Sequence, residues 1–221
     1  GENAIGVYSA NEYLTRSNLM KAYNKDYHTP IRKSKSVAVV GGGNVAMDAC
    51  RTAKRLGAEK VYIIYRRSEA EMPARLEEIH HAKEEQIEFL NLHNPVRILV
   101  GENNEVTGME LQEMELGDPG ADGRRKPIPV DRFKTIDVDT VIISIGTSPN
   151  PLIKSTTEHL DTNKKGCISV DEDSMETTRE GVFAGGDAVT GAATVILAMG
   201  AGKKAAANMH KYICKKHGIE A

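Results

Sequence analysis

Short apolar runs separated by polar turns set the pattern of the chain. Residues 37–40 are uninterrupted and rich in β-branched side chains, which predicts a buried strand. Residues 61–65 repeat the pattern, and 87–92 predict a third strand. Between the first two, Ala49, Cys50, Ala53 and Leu56 recur at helical spacing and stop at Gly57, predicting a helix. Residues 69–74 predict a loop into a second helix over about 74–85, with Pro73 near its first turn. Then the period changes. Residues 96–100, a polar turn and the alternating stretch 106–116 predict an antiparallel excursion. Residues 117–126, charged and glycine-rich, predict a turn or mobile loop, and 135–138 a strand. Residues 141–145 predict a buried strand that ends at Gly146. The order β-α-β-α-β with an antiparallel insertion predicts an α/β class, a Rossmann-like three-layer domain over 34–147.

The flanks are less regular. Residues 6–8 are strand-like, and 10–23 carry a modest helix signal through Tyr13, Leu14, Leu19 and Met20. Residues 24–35 read as a polar linker, and 148–151 as a hinge-like turn. Residues 167–170 and 180–187 predict strands, the second ending in two glycines and an acid; a helix is expected over about 194–211. No initiator Met opens the chain, and the expectation is a piece of a longer protein.

The first glycine turn brings in chemistry. Gly41, Gly43 and Ala46 fit Gly-x-Gly-x-x-Ala between a predicted strand and a predicted helix. Gly41 permits a tight turn, Gly43 lets a pyrophosphate approach the backbone, and Ala46 lets helix and strand pack closely. The helix then aims free N–H groups and its positive dipole end at the phosphates. Glycine turns also occur in ordinary parallel sheets; the surrounding β-α-β unit favours a dinucleotide site. At the end of the second strand an NAD site usually carries an acid. Here Arg66, Arg67 and Ser68 stand instead, suited to a 2′-phosphate, so the expected nucleotide is NADP(H). The alternative is a solvated arginine pair.

Other features carry less. Gly200, Gly202 and Ala205 repeat the spacing, but no second strand follows, so they read as helix glycines. Adjacent His80 and His81 point about 100° apart on a helix and do not share a metal easily; no metal site is expected. Asp48 reads as a dipole partner in a first helical turn. With 221 residues the chain can form one large or two small domains, and a net charge of −2 suggests no nucleic-acid partner. No run is long enough to span a bilayer and no signal-peptide pattern occurs. The three cysteines are far apart, without Cys-x-x-Cys or iron–sulfur spacing, and a cytoplasmic location is expected.

Four stretches together resemble a family: 39–48 (Val-Val-Gly-Gly-Gly-Asn-Val-Ala-Met-Asp), 65–68 (Tyr-Arg-Arg-Ser), 71–74 (Glu-Met-Pro-Ala) and 181–196 (Gly-Val-Phe-Ala-Gly-Gly-Asp-Ala-Val-Thr-Gly-Ala-Ala-Thr-Val-Ile). They are similar to the NADPH-dependent glutamate synthase small (β) subunit and, equally, to the large subunit of NADH-dependent ferredoxin:NADP oxidoreductase. The resemblance implies an N-terminal iron–sulfur module and an FAD domain interrupted by an NADPH domain. Under it Gly41, Gly42, Gly43, Asn44 and Val45 match the pyrophosphate loop, and Arg66 and Arg67 the 2′-phosphate clamp. Gly186 and Asp187 match the second FAD motif, and Ala193, Thr194 and Val195 the helix start beneath the flavin ring. Gly146 is counted with the cofactor-binding set. An acid on the second helix of the domain, Glu77 or Glu78, is also implied near the nucleotide.

The iron–sulfur cysteines and the first FAD glycine loop of the family are not in this sequence. The expectation is the C-terminal half of a flavin oxidoreductase. Residues 1–33 and 148–221 would belong to the FAD domain on either side of the NADPH domain. In the full protein NADPH would exchange a hydride with FAD, with electrons passing to or from iron–sulfur clusters, and no side chain here need be a catalytic acid or base. By itself the chain is expected neither to hold FAD nor to transfer hydride. Implied partners are the N-terminal FAD and iron–sulfur part and a glutamate synthase large subunit or ferredoxin-linked subunit, with self-association through 148–221. The rival readings are a stand-alone NADP(H)-binding module and a complete dehydrogenase with its own substrate site.

Overall fold

The computed structural model describes residues 1–120 and 123–220. Strand β2 (Ser36–Val40) lies at the centre of a five-stranded parallel sheet, between β3 (Lys60–Tyr65) and β8 (Thr140–Ile143). Strand β4 (Glu88–Asn91) extends the sheet beyond β3, and β1 (Val7–Ser9) beyond β8. Helices α1 (Ala10–Leu14), α2 (Asn44–Arg55) and α3 (Leu76–Glu84) carry chain between these strands. Strands β5 (His93–Val100), β6 (Val106–Pro119) and β7 (Arg125–Ile136) form a separate antiparallel sheet.

Both faces of the parallel sheet are covered, so β2 is apolar at every position from Val37 to Val40. Val37 and Val39 pack with Ala46, Met47, Cys50 and Ala53 of α2 and with Ile79 and Ala82 of α3. Ala38 and Val40 face the other way, into a second cluster with Met109, Leu111 and Ile136 of the antiparallel sheet. The layers are therefore helix, parallel sheet and antiparallel sheet, the three-layer α/β class expected.

Several boundaries differ from expectation. Residues 1–33, expected with 148–221, group with the central domain: Gly1–Ile145 is one compact unit and Gly146–Ala221 a second. The reason is pairing. Val7, Tyr8 and Ser9 align with Val141, Ile142 and Ile143, and Tyr13 is buried in the α2 cluster. A three-residue strand carries no local mark of the sheet it will join. Strand β7 was legible only at its end, because Pro127 and Pro129 speak against a strand; as an edge strand it tolerates them. The expected loop 117–126 is mostly hairpin, and its residues 121 and 122 lie outside the described residues. Helix α1 continues only through a π-helical turn, Thr15–Leu19. Pro73 precedes α3 rather than entering its first turn, since Arg75 is the N-cap.

In the second unit the expected strands reduce to single bridges, Thr162 to Ile168, Val170 to Thr177 and Glu176 to Phe183. The hinge at 148–151 opens a helix, α4 (Pro151–Thr156): Asn150 Oδ1 accepts from the Leu152 N–H at 2.9 Å and Pro151 takes the first position. Helix α5 (Asp187–Thr190) is one turn. Helix α6 (Val195–His217) outruns its expected end and stops at Gly218, whose φ of 66° is left-handed.

Candidate nucleotide site

The chain leaves β2 for α2 and β3 on one side, while β8 pairs on the other. The carboxyl end of β2 is thus the point where strand order reverses, the usual place for a ligand in an open α/β sheet. The three glycines there serve different ends. Gly41 has φ 143°, and a Cβ on it would stand 2.2 Å from the Ser144 carbonyl oxygen. A Cβ on Gly42 would stand 2.7 Å from the Tyr65 ring. A Cβ on Gly43 would meet nothing nearer than Pro73 at 4.0 Å. The fold therefore excludes side chains at Gly41 and Gly42, whereas at Gly43 it leaves open space that a Cβ would fill.

Gly43 is also the N-cap of α2, and its carbonyl accepts from the Ala46 and Met47 N–H groups. Among the described residues no carbonyl accepts from the N–H groups of Asn44 and Val45, and the first turn holds no acid. Asp48 lies one turn further on, not in the first turn; burial first, then Glu78, pushes its carboxyl up. The Asn44 side chain secures the neighbouring loop instead of the helix end: its Oδ1 accepts from the Arg75 N–H at 2.9 Å. The Gly42 carbonyl accepts from the Ala74 N–H at 3.1 Å. Glu78 is paired with Arg51 at 2.9 Å, whereas Glu77 is exposed.

The arginines follow β3 directly. Arg66 is exposed, and Arg67 Nε donates to the Arg125 carbonyl at 2.7 Å. Ser68 turns inward. Its hydroxyl and N–H both donate to the Glu71 carboxylate, a reciprocal capping box at a 3₁₀ turn. Arg125 Nε reaches the other Glu71 oxygen at 2.5 Å, and the Tyr65 hydroxyl donates to the Glu71 carbonyl at 2.8 Å. Ser68 first, then Arg125, holds the Glu71 carboxyl below the ordinary range. Glu71 could have been found from Ser-x-x-Glu spacing; Arg125 had no local signal, since β5 and β6 separate it from Arg67.

The second unit holds the rest of the expected set. Gly186 has φ 68° and ψ −148°, and a Cβ on it would sit 3.3 Å from that of Ala198 on α6. Asp187 Oδ1 accepts from the Ala193 N–H at 3.3 Å, and Thr194 caps α6 by accepting from the Leu197 N–H at 3.4 Å. Val195 is exposed, as is Gly146, whose φ is 89°. A cleft of about 270 Å³ in this unit is lined by Asp187, Asn150, Lys154 and Thr162 among others. Among the described residues the buried Thr162 hydroxyl there has no hydrogen-bond partner.

The chain is 43% identical over 185 residues to the NADP(+)-dependent formate dehydrogenase subunit beta of Moorella thermoacetica, covering 83% of this chain and 26% of that protein. It is 34% identical over 212 residues to the glutamate synthase [NADPH] small chain of Escherichia coli, covering 93% and 45%. The chain thus spans about a quarter to a half of these relatives. In fold it is similar to Mycobacterium tuberculosis FprA solved in complex with NADPH, with a TM-score of 0.72 and 15% identity, covering 100% of this chain and 62% of that one. The resemblance to the glutamate synthase small subunit is thereby borne out. The family profile described as pyridine nucleotide-disulphide oxidoreductase matches residues 4–204, and with the glycine turn at the switch point it places the chain: it belongs to the pyridine nucleotide-disulphide oxidoreductase family.

Proposed function

We propose that residues 34–147 bind NADP(H), and that the chain is the nucleotide-handling part of a flavin oxidoreductase of the glutamate synthase small-subunit type. The observation that carries the reading is the open space at Gly43 beside the unpaired N–H groups of Asn44 and Val45. A pyrophosphate fits there, with Gly41 and Gly42 fixing the turn. Arg66 and Arg67 take the 2′-phosphate. Ser68 acts one step back, since its hydroxyl proton is committed to Glu71.

For FAD the fitting residues are Gly146, Gly186, Asp187, Ala193, Thr194 and Val195, with Asp187 exposed and the N-terminus of α6 uncovered. Bound together, the two cofactors would supply hydride transfer, linked to iron–sulfur clusters elsewhere in the full protein. The residues here bind and orient, and none is assigned a proton transfer. The names of the relatives, each a subunit or chain of an NADP-linked enzyme, support a partner subunit, whether a glutamate synthase large subunit or a ferredoxin-linked one.

Calorimetric titration of the chain with NADPH and NADH tests the reading. NADPH should bind more tightly, and Arg66→Ala should weaken NADPH by about 1.5–3 kcal/mol while sparing NADH. Equal affinities for the two nucleotides in the unaltered chain would sink it.

A further inference from the structure

The ribose end of the site contains a cation that no motif supplies. Arg125 opens β7, and the hairpin brings it to the 3₁₀ turn that follows β3. Three contacts hold it: Nε to Glu71 at 2.5 Å, Nη2 to the Ser68 hydroxyl oxygen at 3.4 Å, and its carbonyl to Arg67 Nε at 2.7 Å. Its side chain remains 45% exposed, so the contacts to Glu71 and Ser68 do not bury it.

Charge gives this arrangement a consequence. Glu71 is buried in the 3₁₀ turn that directly follows Arg66 and Arg67, the two arginines expected to hold a phosphate. Uncompensated, its carboxylate would repel that phosphate and cancel one of them. Glu69 does not add to the problem, because Lys83 pairs with it at 2.7 Å. With Arg125 in place, Arg66, Arg67, Arg125 and Glu71 leave a net positive charge of two. A phosphate monoester carries about −1.5 to −2 at pH 7.

We propose that Arg125 is a third cation for the 2′-phosphate, set in position by Glu71, and that it helps select phosphorylated over unphosphorylated dinucleotides. The proposal rests on the NADP(H) reading above and deepens it. Because Arg67 lies against the Arg125 backbone and Ser68 against its guanidinium, the hairpin and the end of β3 form one phosphate-facing group.

The test titrates the full chain with 2′,5′-ADP (adenosine 2′,5′-bisphosphate) and with 5′-AMP, ligands that differ only at the 2′ position. Arg125→Ala should weaken 2′,5′-ADP roughly ten- to a hundredfold and leave 5′-AMP unchanged. It should also flatten the salt dependence of 2′,5′-ADP binding. Arg125→Lys, which keeps the charge but loses the fork, should fall between. An equal loss for both ligands would make Arg125 merely structural and overturn the proposal, as would no loss for either. If the unaltered chain does not prefer 2′,5′-ADP, the NADP(H) reading itself fails, and Arg125 has no phosphate to select.

Discussion

The two units turn glycine-rich loops into helices on very different foundations. Around Gly41 the loop is anchored in a parallel sheet with an unbroken register on both sides of β2, and apolar clusters cover both faces. Around Gly186 the neighbouring chain makes single bridges. Beyond residue 145 the buried apolar side chains among the described residues are Leu160, Cys167, Met175, Ala205 and Cys214. Meanwhile Val195, Ile196 and Leu197 at the start of α6 are 75%, 80% and 64% exposed. The first unit sustains its own site. The second carries apolar surface of the kind that marks an interaction face.

The sharpest way to break the comparison is at the glycines. Gly41→Ala forces a side chain into the left-handed region against a fixed carbonyl. It should destabilise the first unit by about 2–5 kcal/mol, adding backbone strain to overpacking. Gly43→Ala meets open space and should leave urea unfolding within about 0.5 kcal/mol while weakening nucleotide binding. If the two variants unfold alike, the assignment of separate tasks to the glycines is wrong.

Gly186→Ala, at a φ/ψ pair close to glycine-only space, should cost about 1–3 kcal/mol, read from denaturation of the second unit. A smaller cost than at Gly41 would confirm the looser foundation; a larger one would reverse the comparison.

Surface changes should do less to stability. Ile196→Lys should shift unfolding by no more than about 0.5 kcal/mol yet reduce self-association in sedimentation experiments. A chain that is monomeric before the change would refute self-association through this face.

The smallest effect concerns acid. The folded-state pKa of Glu71 is depressed, so its stabilising contacts are fully present above its unfolded value of about 4.3 and are lost as pH falls through the folded one. The stability gap between the parent chain and Glu71→Gln should therefore close below about pH 4 in unfolding titrations. A gap that persists to lower pH would mean that Glu71 acts through packing rather than charge.

Much of this was legible in local pattern. The apolar runs of β2, β3 and β8, the helical spacing of Ala49, Cys50 and Ala53, and the Gly41–Ala46 turn each announce themselves within a few residues. They had to, because a strand buried on both faces favours apolar residues and admits a polar one only with a partner, as Thr140 has in Ser34, and a phosphate-binding turn admits few side chains. What only the tertiary structure decided was which distant segments meet. Strand β1 chose the β8 edge, β7 kept two prolines because it lies at an edge, and Arg125 reached Glu71 through a hairpin. Those outcomes depend on pairing between residues tens of positions apart, and backbone hydrogen bonds across a sheet leave no trace in the side chains of either partner alone.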